Sequence, residues 1–186
     1  MPAGQLWSAP VPPMAFSDGP AATAAALTEI SPVPVRNLGA VSPVPGTCLR
    51  INASGNITSA SATPTVVIGF YLGAQGSIGS AAVLAATPAL PISASAASWP
   101  WIMDWEGEVR AIGQAGSVLG QGQCAWGGNS GLAAAMSVFP FPVTAAARTV
   151  AVNFITTVQL LIGATLSSTT GSPSITCNHV SMEISG

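Results

Sequence analysis

Few residues of the chain could carry chemistry. His179 is the single histidine, so any Ser/His/Asp relay would have to pass through it. It alternates with Val180, Met182 and Ile184, which puts it on the polar side of a strand, away from their apolar face. Gly127-Gly128-Asn129-Ser130-Gly131 superficially resembles a serine-nucleophile loop, but it lacks the G-x-S-x-G spacing and the strand–turn–helix setting of such a loop. Asp104, Glu106 and Glu108 share one strand face, with side chains about 7 Å apart. Paired glycosidase carboxylates act about 5–10 Å apart, but they flank the sugar from different elements. With ligands from another loop the three could hold calcium. With Arg110 beside them they read as a solvated strand face. Gly120-Gln121-Gly122-Gln123-Cys124-Ala125 fits the loose G-x-G-x-x-A form, yet no helix pattern and no downstream acid follow it. Those glycines are read as marking turns and bulges. Cys48, Cys124 and Cys177 have no zinc-site spacing. They read as buried free thiols, with one disulfide plus one free thiol as the alternative. No catalytic residue, metal ligand or cofactor is assigned.

Four tryptophans, Trp99, Trp101, Trp105 and Trp126, could stack on a sugar. Trp101 and Trp105 fall on the same strand face as Met103 and Val109, which makes them core residues. Trp99, beside Pro100, and Trp7 are better placed for an interface. Trp126, with Trp99 and the Gly127–Gly131 loop, is the candidate for a ligand platform.

The chain has 186 residues, four arginines, no lysine and six acids, for a formal net charge of −2. Charged residues make up 5% of it, against about 25% in an average soluble domain. Nucleic acid is excluded as a partner, because the cations that neutralise phosphate are almost absent. A polybasic membrane anchor is excluded on the same ground. The 49% hydrophobic content argues against charge-rich disorder. Met1–Pro20 has no basic segment, and prolines 10, 12 and 13 interrupt it, so it does not read as a signal peptide. Val66–Ala86 has the length of a membrane span. Its β-branched start, its bracketing Pro64 and Pro88, and the lack of flanking cations favour two strands joined by the turn GAQGSIGS. A monomer of this mass exposes roughly 8,000 Å², of which ten charged side chains cover about an eighth. A Ser/Thr/Ala mosaic and burial in an obligate homo-oligomer together account for the remainder.

Residues 1–45 hold nine of the sixteen prolines and read as an extended, Pro-rich N-terminal arm. Its apolar Leu6, Trp7, Met14 and Phe16 are, with Trp99, the candidate partner-interface residues; folding back on the chain's own core is the other possibility for the arm. Ala21–Leu27 is its only good local helix former, and it could equally lead into a strand ending at Ile30. Residues 46–186 read as one β domain. The strands expected are Thr47–Ala53, Thr65–Leu72, Ala81–Ala86, Ile92–Ala97, Trp99–Ile112, Gly116–Trp126 (a pair or one bent strand), Ala134–Phe141, Thr149–Thr157, Val158–Leu166 and Ile175–Ser185. Ser54-Gly55-Asn56 is expected to turn the chain. The fold class is all-β: a jelly-roll-like β-sandwich of about eight to nine strands.

The order of these segments resembles the small jelly-roll virion proteins of tailed bacteriophages, above all capsid decoration proteins. The resemblance lies in the Pro-rich arm, TVVIGFYL at 65–72, WPWIMDWEGEVRAIGQAGSVLGQG at 99–122, TVAVNFITT at 149–157 and ITCNHVSMEIS at 175–185, and it covers about residues 45–186. It implies a homotrimer on the outer capsid surface of the virion, reinforcing contacts between major capsid subunits, with the arm reaching a neighbour or the shell. It implies no catalytic residue and no cofactor. A receptor- or carbohydrate-binding module of a tail or spike is the alternative on the same scaffold.

Overall fold

The alternation of apolar and polar side chains makes strand the dominant element among the described residues. The computed structural model describes residues 17–32, 36–38, 43–127, 137–155 and 159–186. In chain order the strands are β1 (Thr28–Glu29), β2 (Arg36–Asn37), β3 (Cys48–Ser59), β4 (Thr65–Gly73), β5 (Ala82–Ala86) and β6 (Leu90–Pro91). They continue as β7 (Ala96–Ala111), β8 (Gly116–Trp126), β9 (Ser137–Phe141), β10 (Thr149–Val152), β11 (Gln159–Leu166) and β12 (Ser174–Ser185). Single 3-10 turns at Ile78–Ser80 and Ala146–Arg148 are the helical elements among the described residues.

Two six-stranded antiparallel sheets form. Sheet one runs β1-β11-β4-β5, with β2 also on β11 and β6 on β4. Sheet two runs β10-β8-β7-β3-β12, with β9 on β8. Their inner faces make the core: Leu49, Ile51, Trp101, Met103 and Trp105 from sheet two, and Val66, Ile68, Phe70, Leu160 and Ile162 from sheet one. Phe70 and Phe141 join the layers, with ring centroids 6.0 Å apart. The chain is therefore an all-β sandwich, as its period-2 pattern predicts. Four strands in succession, β7 to β10, stay in one sheet.

The stretch before residue 45 contributes to this core. Gly19 N–H donates to Cys177 O at 2.9 Å, and Ala22 and Ile175 exchange backbone bonds at 2.9 and 3.1 Å on the edge of β12. Ile30 N–H donates to Ile162 O at 2.8 Å, and the buried Ser31 hydroxyl accepts from Ile162 N–H at 2.9 Å. Ala22, Ile30 and Leu38 are fully buried. Ala21–Leu27 forms no helix and leads instead into β1 (Thr28–Glu29): Ala22 is held as a β-bridge, which favours extended backbone over local helix propensity.

Several expectations are corrected. Ser54-Gly55-Asn56 is no turn, because β3 runs straight through it to Ser59. Gly55 is there for proximity: a Cβ on it would lie 2.8 Å from Trp101 Cζ2 and would also run into Thr176 O. Gly120 and Gly122 likewise sit inside one continuous β8, not at turns. Ile92–Ala97 is not a strand. The chain turns there and enters β7 through Ser95 and Ser98, both at positive φ. The strand expected over 149–157 ends at Val152, and of 134–141 the described part begins at Ser137. In β12 a bulge between Cys177 and His179 shifts the phase, so Ile175 and Cys177 face inward before it and Val180 after it.

Candidate functional site

The outward face of sheet two gathers most of the chain's charge. Alternation sends Asp104, Glu106, Glu108 and Arg110 of β7 outward, opposite the buried Met103, Trp105 and Val109. On β3 it sends out Cys48, Arg50 and Asn52, and beyond the bulge of β12 it sends out His179, Ser181 and Glu183. Cross-strand register then sets Ser181, Asn52, Asp104 and Gln123 in one row and Glu183, Arg50, Glu106 and Gln121 in the next. Six of the ten charged side chains of the sequence lie on this single face.

Local partners follow from that register. Arg50 Nε lies 3.2 Å from Glu106 Oε1, and Arg110 Nη2 lies 3.2 Å from Glu108 Oε2. The Asn52 amide donates to Asp104 Oδ1. Arg50, Asn52, Asp104, Ser181 and Glu183 line an open groove of about 220 Å³. Arg110 does act as a counter-charge to the acidic strand. The second cation, Arg50, comes from the neighbouring strand, a partner that only the sheet order reveals. Both pairs are well exposed and add little stability. No group of three or more His, Cys, Asp or Glu side chains placed to hold a metal ion occurs among the described residues. The arrangement suits a hydrated surface and holds no aligned nucleophile and base. His179 is exposed and pairs in register with Ser54 across β3, with no bond to its ring among the described residues.

The aromatic candidates divide. Trp101 and Trp105 are core residues, as their strand parity predicts. Trp126 is corrected: it is buried, and its Nε1–H donates to Pro91 O at 2.8 Å, so its ring faces no ligand. Trp99 is half-buried and packs against the core rim. Leu6, Trp7, Met14, Phe16 and the loop residues 128–131 lie outside the described residues.

All three cysteines are free. Cys124 and Cys177 are buried, and burial pushes both thiols up to about 12 from an ordinary 9.0. Cys48 departs from the buried-thiol expectation. It stands at the start of β3 on the outward, charged face and is exposed. A maleimide at neutral pH should therefore modify one thiol per native chain, and Cys48→Ser should abolish the reaction. Mass spectrometry of the labelled protein checks this. A second linked consequence has a definite sign. Above pH 9 the unfolded thiols ionise while the buried ones stay protonated, so the unfolded chain binds fewer protons and stability falls as pH rises. Between pH 9 and 12 the loss should approach about 1.4 kcal/mol per pH unit for each of the two thiols. Urea unfolding at stepped pH reads it, and replacing both buried cysteines with alanine should flatten the slope.

Compared with protein-family models, with curated proteins and with solved structures, the chain matches none. No helix among the described residues is long and apolar enough to cross a membrane.

Proposed function

We propose that the chain is a non-enzymatic structural protein of a phage virion. In this reading it is a decoration protein seated as a homotrimer on the outer capsid surface, where it braces contacts between major capsid subunits. The observation that carries the reading is the segregation of charge. Six charged side chains share one sheet face, and the strands of the opposite sheet contribute two charged residues, Arg36 and Glu29, whose carboxylate accepts from Gly76 N–H at 2.9 Å. A sandwich whose charge is gathered on one face leaves its other surfaces suited to close packing against other subunits, where each Å² of apolar surface removed from water contributes about 25 cal/mol. The jelly-roll-like form of the sandwich, the trimer and the lack of nucleic acid, membrane or cofactor partners belong to the same reading. The phage resemblance of its segments supplies the partner. The receptor- or glycan-binding alternative loses Trp126, which is buried, and keeps the half-buried Trp99.

The first measurement is the absolute mass of the purified chain by light scattering after size exclusion. Three times 18.4 kDa is expected. Cosedimentation with expanded capsids then tests the second half of the reading. A stable monomer with no affinity for capsids would sink it.

A further inference from the structure

The connection between β4 and β5 folds back across the outer face of sheet one and reaches over β11 to β1. Two side chains of those strands hold it: Glu29 Oε2 accepts from Gly76 N–H at 2.9 Å, and Gln159 Oε1 accepts from Gln75 N–H at 2.8 Å. Over residues 74–81 Ile78 is the buried side chain. It packs with Tyr71 and Leu161, and with the partly buried Leu27 and Ala81, in a cluster separate from the core between the sheets. Gly163 is its seat. A Cβ there would lie 2.5 Å from Ile78 Cδ1, 2.8 Å from Tyr71 Cε2 and 3.1 Å from Leu27 Cδ1. Register sets Glu29 of β1 directly opposite Gly163, so the buried side chain and one of its holding bonds stand side by side.

We propose that residues 74–81 are a lid that opens as a unit while the sandwich stays folded. Ile78 is its plug, in a socket floored by Gly163, walled by Tyr71, Leu161 and Leu27, and sized for one branched aliphatic side chain. The inference goes beyond the virion reading and does not depend on it. Three observations support it. First, the attachment is slight. Pairing of β4 with β5 begins at Leu72 and Ala82, and beyond it the two latch bonds and the Ile78 contacts fasten the segment to β1 and β11. A segment with so few buried contacts opens locally at a cost well below that of global unfolding. Second, the segment is braced within itself. Ser77 N–H donates to Ala74 O at 3.1 Å, Ser80 N–H to Ser77 O at 3.0 Å and Ala81 N–H to Ile78 O at 3.2 Å, so the bending falls at its ends. Third, a hairpin closes with about two to five residues. The longer connection here serves to carry Ile78 out over β11. Opening puts Tyr71 and Leu161 in water and uncovers the socket among the small or apolar outward residues Val67, Gly69, Ala86 and Thr165.

Thiol labelling of the full chain at neutral pH tests the lid. In a Cys48→Ser background, Leu161→Cys places a thiol beneath it, and the buried Cys124 and Cys177 report opening of the sandwich itself. The introduced thiol is expected to react about tenfold faster than the two core thiols, or more, because local opening outpaces global opening. Glu29→Ala/Gln159→Ala, which removes both latches, should speed it about fivefold further and leave the core thiols unchanged. Mass spectrometry of digested samples reads the three rates, and far-UV circular dichroism with a thermal melt checks that each variant is folded. Ile78→Cys, on the lid itself, serves if Leu161→Cys does not fold, and the same pattern is expected of it. An introduced thiol that reacts in step with Cys124 and Cys177 overturns the lid. A rate indifferent to Glu29 and Gln159 overturns the latches.

Discussion

Replacing Trp105 with alanine should lower the free energy of unfolding by about 3–5 kcal/mol, the cost of emptying a large aromatic site in a packed core. For a domain of this length that is a fall of about 6–20 °C in melting temperature. The indole is 1% exposed, in the middle of β7, and its six-membered ring lies over Gly107 and Gly120. Trp105→Phe should cost far less. The Trp105 Nε1–H is the one buried side-chain polar atom without a partner among the described residues, whereas Trp101 and Trp126 donate to Thr176 O and Pro91 O. Removing an unsatisfied buried donor recovers about 1–3 kcal/mol, which offsets much of the volume lost. Urea midpoints at unchanged m-value read the difference. A phenylalanine variant as weak as the alanine variant would mean that the donor carries no penalty in this core.

Gly120→Ala should be the converse lesion, an overpacked site. A Cβ at Gly120 would run into the Trp105 ring, with Cε2 at 2.6 Å and the backbone oxygen of Glu106 at 2.7 Å. Both obstacles are rigid, a core ring and a neighbouring strand. The expected loss is about 2–3 kcal/mol, at the upper end for inserting one carbon into a packed core. Gly79→Ala, where a Cβ would have nothing within 4 Å, should change stability by less than about 0.5 kcal/mol. Coupling provides the sharper reading. In Gly120→Ala/Trp105→Phe the smaller ring should relieve part of the clash, giving a non-additive term of about 1 kcal/mol or more. Strict additivity would place the strain against Glu106 O alone.

Side-chain parity made the central strand legible in advance. Trp101, Met103, Trp105 and Val109 face inward and Asp104, Glu106 and Arg110 outward, as period 2 requires. The glycines are ambiguous in sequence for a physical reason. A glycine that turns the chain and a glycine that leaves room for a ring look alike in sequence, and only the neighbouring strand tells them apart. Gly55 needs Trp101 and Thr176 opposite it, and Gly120 needs Trp105. In sequence Trp126 reads as a ligand-site residue because it adjoins the glycine-rich segment 127–131. Its burial depends on β6 arriving to offer Pro91 O, a contact 35 positions away. The Arg50–Glu106 pair was equally hidden, since it depends on β3 lying beside β7. The β-sandwich class needed no such distant information, because β3 and β7 declare their own period and β4 and β11 are short, continuous apolar runs bounded by turn residues.

The residues from Gly19 to Ser31 tie both layers at once, since Gly19 and Ala22 bond to β12 of sheet two and Ile30 and Ser31 to β11 of sheet one. The bond between Ser31 and Ile162 alone spans 131 positions of sequence. Seen as a matter of timing, this clasp is fastened last. During synthesis its early half must wait, unpaired, until β11 and β12 have left the ribosome, and loops that long close slowly. Until then the buried Ile30 and Leu38 have no core to enter. The sandwich should thus become cooperative in one late step, with the chain exposed to proteases before it and resistant after.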